Sequence, residues 1–364
     1  MAAALTPLDG IRGRDLLTFD EATPIERINS HEYQTKVDVE YNYGSSAHGG
    51  FLVALVWKTI KMHYQTTLKD RHQPDTTSFH LEFLRPTTTG PVSIHIKDVR
   101  LGKATSVVHA TMIQGGTEKC VAYATNSGPK ASQGTISNAM GGPKMWPPAH
   151  PISFSKVLSG TDPNWIRYDV PRLPDNPDHA LSNIVYALQR PGSVDYSDPA
   201  WLNTVTLWIS PRIPEEKWHT EQLGIVFDSS VPPLENWYGT QEGAQNYITM
   251  PSAVARNEKE GKSSYDHPPW DTRRFYPTVS MTIEVKRQLP AEGEKWLCLR
   301  QNTKECVEGR FDMDATVWDV EGKLIAVSQS FWYVVEPPRE GKQKSASGRM
   351  AIIGKGMKKS EEKL

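Results

Sequence analysis

The sequence predicts an α+β fold built twice: two tandem repeats, each a central helix wrapped by an antiparallel sheet, forming one pseudo-dimeric body. Three observations carry this. The stretch His48-Gly49-Gly50-Phe51-Leu52-Val53-Ala54-Leu55-Val56-Trp57 opens on two glycines and stays largely apolar to about Tyr64. A helix that is apolar on nearly every side must be buried on nearly every side. Segments of strict apolar/polar alternation follow it, the signature of half-buried strands. A second helix-like run and a second set of such segments then recur in the later half of the chain, which is how an internal duplication reads.

In chain order, Lys36-Val37-Asp38-Val39-Glu40-Tyr41 alternates and predicts a strand, and Asn42 to Ala47 predicts a loop into the helix. The helix carries Ala54, Leu55, Lys61 and Met62, all favourable formers. Lys58 and Lys61 break the run, which is too short to span a bilayer. Pro74-Asp75 marks a turn, after which Phe79–Phe83, Val92–Ile96, Val108–Met112 and Cys120–Ala124 each alternate, the last two joined by Gly115-Gly116. Adjacent glycines suit a tight hairpin turn.

In the second half, Thr204–Ile209 reads as a strand and Glu221–Asp228 as the second helix. Met281–Val285, Trp296–Leu299, Met313–Trp318 and Leu324–Ser328 then read as strands, the last two joined at Glu321-Gly322. An Arg-Pro turn at Arg85-Pro86 is answered by Arg287-Gln288-Leu289-Pro290. The expected division is 1–127 for the N-terminal repeat, 128–200 for a linker and surface excursion rich in Gly, Pro and Ser, and 201–340 for the C-terminal repeat. A long polar insertion at 235–275 has no counterpart in the first half, and 341–364 reads as a disordered charged tail.

Composition excludes several classes. With 41 basic and 42 acidic residues the net charge is −1, unlike a surface built to neutralise phosphates. Three cysteines without a CxxC pair argue against a disulfide framework and against a zinc site, and a reducing compartment is expected. The N-terminus lacks the basic and apolar regions of a secretory signal. Glu362-Lys363-Leu364 resembles a peroxisomal address only loosely, because Glu362 stands where a small residue belongs. The cytoplasm is the expected location, with the peroxisome as the weaker alternative. Neither a Gly-x-Ser-x-Gly elbow nor a phosphate-binding Gly-x-x-x-x-Gly-Lys-Ser loop occurs.

Ala47-His48-Gly49-Gly50-Phe51, Ser78-Phe79-His80-Leu81-Glu82-Phe83-Leu84-Arg85-Pro86 and Trp318-Asp319-Val320-Glu321-Gly322-Lys323-Leu324-Ile325-Ala326 together resemble the acyl-CoA thioesterase II-like family of double-hotdog proteins. The resemblance covers roughly residues 36–127 and 204–333. It implies that an Asp, a Thr and a Gln of the second repeat position a water molecule. Asp228 and Thr278 fall at the first two places. Counted without gaps, the Gln place falls on Ser330, with Gln329 adjacent; a one-residue slip in a strand turns a side chain to the other face, so either a bulge restores Gln329 or the triad is incomplete.

The chemistry would need an activated water and a polarised carbonyl. A helix N-terminus presents free N–H groups and a positive dipole end to a developing oxyanion. Gly49 and Gly50 would let a carbonyl approach the backbone closely, and His48 would touch substrate or cap the helix. Asp228 would serve as general base, with Thr278 and Gln329 holding the water and Ser330 in the substrate-binding set. Each has a plainer reading: a turn, a structural histidine, a helix-end carboxylate, a strand-start threonine.

The reading that follows is a hydrolase acting on an acyl or polyketide thioester carried by CoA or an acyl carrier protein. No metal, redox cofactor, nucleic acid or membrane partner is expected. Two alternatives share the fold: a specialised-metabolite enzyme doing cyclisation or isomerisation, and a non-catalytic binder of apolar ligands. Monomer and homo-oligomer both remain open, since the duplication already supplies a pairing of repeats.

Overall fold

Apolar side chains on every face of one helix require a wrapper, and the computed structural model shows it. The structure describes residues 16–128, 144–170, 180–195, 197–238, 249–262 and 274–335. Helix α1, Gly49–Thr66, buries Phe51 through Trp57 without a break, and Ile60, His63 and Tyr64 beyond them. Full burial of such side chains contributes about 1.5–3 kcal/mol each, so α1 is the main apolar anchor of the first half.

The wrapper consists of β1 (Glu32–Val37), β2 (Asp75–Phe83), β3 (Gly90–Leu101), β4 (Thr105–Gln114) and β5 (Thr117–Ser127). Along β2 to β5 the burial alternates as the sequence predicts, with Phe79, Leu81, Ile94, Val108, Ala110 and Ala122 turned inward. Gly115 and Gly116 take positive φ at the β4–β5 turn, a conformation only glycine adopts cheaply in succession. The strand expected at 36–41 lies earlier. Glu32–Val37 is extended, but Val39–Tyr41 is a 3₁₀ turn because the Asp38 side chain caps it by accepting from the Glu40 N–H.

The second half repeats this order: β8 (Thr204–Pro211), helix α2 (Leu223–Phe227), β9 (Thr278–Val285), β10 (Leu297–Asn302), β11 (Arg310–Trp318) and β12 (Leu324–Tyr333). Residues 128–200 were expected to be linker and surface; that expectation is corrected in part. Trp165–Asp169 (β6) and Ile184–Gln189 (β7) are strands that extend the second repeat's sheet beyond β8. Every position of β7 is buried, so its sequence lacks the alternation that exposes a strand to inspection. Residues 144–158 then cover the outer face of this region, where Phe154 stacks on Trp296 and packs edge-on against Trp208.

Among the described residues twelve main strands join one 14-stranded sheet in the order β1-β3-β4-β5-β2-β9-β12-β11-β10-β8-β7-β6. Two short strands complete it, Glu26–Arg27 beside β1 and Cys306–Val307 beside β11. The repeats meet at β2 and β9, which pair antiparallel with Ser78 opposite Glu284, His80 opposite Thr282 and Glu82 opposite Ser280. Ser78-Phe79-His80-Leu81-Glu82 and Ser280-Met281-Thr282-Ile283-Glu284 are the same segment of the two repeats, so His80 and Thr282 sit on the pseudo-twofold axis. They share a 2.7 Å hydrogen bond across it.

The repeats differ most in their helices. α1 has 18 residues and α2 only five, because Asp228, Ser229 and Ser230 turn the chain away before Pro232-Pro233. Ser229 hydroxyl donates back to the Ile225 carbonyl, a local bond that closes the helix end. Of the insertion at 235–275, the described parts include two helices, Leu234–Tyr238 and Met250–Lys259, both with buried residues. The tail at 341–364 lies outside the described residues.

α1 and α2 cross at their glycines. A β-carbon on Gly50 would stand 2.3 Å from the Gly224 carbonyl oxygen, and one on Gly224 would stand 2.4 Å from Val53 Cγ1. Both distances are inside contact, so the crossing requires hydrogen at both positions. Gly224→Ala, which forces α2 away from α1, is expected to lower the unfolding free energy by about 1–3 kcal/mol. Urea titration followed by tryptophan fluorescence measures it, and an unchanged midpoint would contradict the crossing.

Candidate functional site

The crossing delivers the end of one helix to the start of the other. Asp228 is the C-cap of α2, with its N–H bonded to the Gly224 carbonyl. Its carboxylate reaches the first turn of α1. Oδ2 accepts from the Gly50 N–H at 2.6 Å and lies 3.4 Å from His48 Nε2, while Oδ1 accepts from the Thr278 hydroxyl at 3.0 Å. His48 Nε2 also approaches the Asp228 carbonyl oxygen at 3.0 Å. A β-carbon on Gly49 would stand 2.8 Å from Asp228 Oδ2 and 3.3 Å from Phe83 Cζ. Both glycines of the opening motif are therefore needed, one at the helix crossing and one beneath the carboxylate.

Asp228 is 9% exposed and His48 5%. Burial pushes the Asp228 carboxyl above its ordinary 3.8; the His48 ring, the Gly50 N–H and the Thr278 hydroxyl act in the opposite direction and hold part of the anionic form. A carboxyl in this position is a poised proton acceptor: desolvation raises its basicity while fixed donors keep it oriented. His48 makes no side-chain cap to α1. Its Nδ1 is buried with no hydrogen-bond partner among the described residues.

The other expected residues divide at β12. Gln329 emerges on the exposed face and points its amide at Asp314 Oδ1, 3.4 Å away. No bulge restores it, since β12 and β9 keep a continuous register through Gln329 and Ser330. Ser330 faces inward, where it accepts from the Trp332 indole N–H at 2.7 Å. The Gln329 assignment is thereby corrected: strand alternation puts its side chain on the opposite face from the interior. Gly50 also takes a different part from the one expected, because its N–H is already given to Asp228 rather than left for an oxyanion.

Gln301 on β10 was missed. It is 1% exposed, donates its amide N–H to the Phe227 carbonyl at 2.9 Å, and accepts from Ser230. Those two contacts bracket Asp228 and hold the loop that carries it. The signal was faint: Arg300-Gln301-Asn302 ends an apolar strand with three polar residues, of which the first two are buried.

The described ends of the insertion pack on both repeats. Phe275 stacks on Tyr43 of the first repeat at 6.1 Å, and Tyr276 packs edge-on against Phe311 at 5.9 Å. The Tyr276 hydroxyl donates to Glu235, and the Arg274 guanidinium lies over the Tyr238 ring. Thr278, two residues beyond Tyr276, supplies the hydroxyl on Asp228.

Two family models match the chain: that of the acyl-CoA thioesterase N-terminal domain over residues 38–127 and that of the acyl-CoA thioesterase C-terminal domain over 162–330. The chain belongs to the acyl-CoA thioesterase family. The start of the second match at 162 agrees with β6 and β7 being part of the second repeat's sheet. This thioesterase-like chain is 26% identical to the thioesterase-like protein TwmA of Talaromyces wortmannii over 352 residues, 92% of this chain and 97% of TwmA. Among solved structures it is similar to a hot dog-fold protein of Alicyclobacillus acidocaldarius, with a TM-score of 0.60, 19% identity, and coverage of 88% of this chain and 98% of that one. The acyl-CoA thioesterase II TesB2 of Mycobacterium marinum gives a TM-score of 0.58 at 16% identity, covering 89% and 100%. These likenesses establish the double-hotdog fold. Among the described residues no helix is long and apolar enough to cross a membrane.

The raised carboxyl carries a stability signature. Between 3.8 and the higher folded-state value, the folded chain holds a proton on Asp228 that the unfolded chain has released, so stability falls as pH rises through that interval. Asp228→Asn removes this slope. The variant's melting temperature minus that of the wild type is expected to increase from about pH 4 to 7. A difference that stays flat across the range would contradict a proton-retaining Asp228.

Proposed function

We propose that this member of the family hydrolyses an acyl or polyketide thioester carried by CoA or an acyl carrier protein, with Asp228 as general base and Thr278 as its positioning partner. The observation that carries the reading is the Asp228 carboxylate, buried, raised in pKa, and held between the Thr278 hydroxyl and the Gly50 N–H at the start of α1. A carboxylate offers about four acceptor sites, so the donors already in place leave acceptor capacity for a water. That water attacks the thioester carbonyl carbon as Asp228 takes its proton. The positive end of α1 favours the oxyanion that forms. Collapse breaks the C–S bond, and the proton passes to the departing thiolate, giving a carboxylic acid and a thiol.

The second reading keeps the site and changes the reaction to cyclisation or isomerisation of a specialised intermediate. Ser330, committed to Trp332 where the resemblance calls for a glutamine, favours it, as does His48 beside the carboxylate. A base that moves a proton on the substrate itself needs no glutamine to hold a water.

A panel of acyl-CoA and short-carrier thioesters, followed by thiol release, separates the readings. Hydrolysis with loss of about 10²–10⁴-fold in kcat on Asp228→Asn is the expected result. Its acid limb should titrate above 3.8, the ordinary carboxylate value, with activity rising as pH rises because the base must be ionised. Gln329→Ala, on the exposed face, should leave kcat/KM unchanged. No thiol release from any thioester, or release indifferent to Asp228→Asn, would overturn the proposal.

A further inference from the structure

At the far end of α1 from Asp228 lies a second cluster of titratable groups. His31, in the turn before β1, His63, in the last turn of α1, and Asp98, on β3, each present one ligand atom, and these atoms lie within 4.8 Å of one another. His63 Nε2 stands 3.0 Å from Asp98 Oδ1, and His31 Nε2 stands 3.3 Å from Asp98 Oδ2. The two imidazoles are stacked edge-on with centroids 5.2 Å apart. We propose that His31, His63 and Asp98 form a binding site for a first-row divalent transition metal, Zn²⁺ by its ligand chemistry, that ties the N-terminal turn to α1 and β3.

Three features argue for a built site. Each imidazole has its other nitrogen engaged: His31 Nδ1 with Ser30 Oγ at 2.7 Å and His63 Nδ1 with the Tyr33 hydroxyl at 2.9 Å. Such outer bonds fix ring orientation and tautomer in metal-binding histidines. The Tyr33 hydroxyl also reaches the Ser30 carbonyl at 3.4 Å. When it donates there it accepts from His63 Nδ1–H, and the Nε2 lone pair then faces a carboxylate oxygen. In that tautomer two acceptors face each other 3.0 Å apart, and a metal ion or a proton must lie between them.

The second feature is placement. Val92, Ile94 and Ile96 turn inward along β3, and Asp98 takes the next position of that series, where the register shifts between Asp98 and Arg100. An apolar residue is the expected occupant of such a position, and a carboxylate there needs a partner. The third is ligand chemistry. Two imidazoles and one carboxylate with an open position suit Zn²⁺, whose bonds of about 2.0–2.1 Å imply ligand–ligand edges of roughly 3.3 Å. Each imidazole already stands at about that distance from one of the two Asp98 oxygens, and the ligand atoms lie within 4.8 Å of one another, so binding draws the set together. His63 is fully buried, whereas the His31 side chain is 43% exposed, which leaves a solvent side for the fourth ligand. The earlier expectation of no metal rested on the cysteines and on the reaction, and neither bears on a His/Asp set.

Full-length, tag-free protein stripped with a chelator and titrated with Co²⁺, then Zn²⁺, tests the site. One Co²⁺ per chain with a visible ligand-field spectrum, displaced by Zn²⁺, is expected, together with a higher melting temperature in Zn²⁺. His31→Ala, at an exposed position, and Asp98→Asn should each weaken Zn²⁺ binding by more than the roughly 10–100-fold typical of losing a supporting outer bond. Metal-free circular dichroism confirms that both variants fold. No binding at millimolar Co²⁺ or Zn²⁺ would overturn the proposal and leave a Tyr33–His63–Asp98 hydrogen-bond relay. Stoichiometric binding unaffected by either substitution would overturn it as well.

Discussion

The contact between Gly50 and Gly224 is the constraint on which the architecture turns. Each repeat has a helix to bury, and the two helices lie against each other inside one continuous sheet. Side chains at the crossing would hold them apart, since a single added β-carbon would meet the opposing backbone at 2.3 Å. Removing both lets α2 deliver its last residue to the first turn of α1. The carboxylate then receives a backbone N–H from one repeat and a hydroxyl from the first residue of β9 in the other. Packing and chemistry are thus set by the same two positions. The opening motif serves less as a cradle for a ligand than as the clearance that lets Asp228 arrive.

How much of this could be read from residues alone follows from which signals are local. The buried helix and the strands from Phe79 to Ala124 announce themselves because burial alternates with a fixed period. β7 does not, because Ile184–Gln189 is buried on both faces and offers no alternation. The Asp228–Thr278 pair was reachable through the resemblance. The choice between Gln329 and Ser330 was not, since it depends on strand register, settled only when Ser330 is found opposite Met281 and Met313. Gln301 was invisible for a different reason: its function is to hold a loop distant in sequence, and no local pattern encodes a bond to Phe227.

The insertion at 235–275 reads as polar excess in the sequence, yet its described ends pack on both repeats. Phe275 stacks on Tyr43, and Tyr276 and Glu235 are joined by a hydrogen bond. Aromatic pairing of this kind contributes about 0.5–1.5 kcal/mol beyond area burial.

The pseudo-twofold axis through His80 and Thr282 has a consequence for stoichiometry. In a dimer of identical single repeats, like would face like on the axis, and every site would occur twice. Here the axis pairs a histidine with a threonine. Aligning the crossing glycines sets Ala54, fully buried, where the other repeat has Asp228. Covalent fusion has freed the copies from each other: one keeps a long helix and lends its N-terminus, the other gives up helix length and lends a carboxylate. The product has the pseudo-symmetry of a dimer but, among the described residues, the crossing carries a carboxylate on one helix only, so under the proposed function one chain counts as one equivalent.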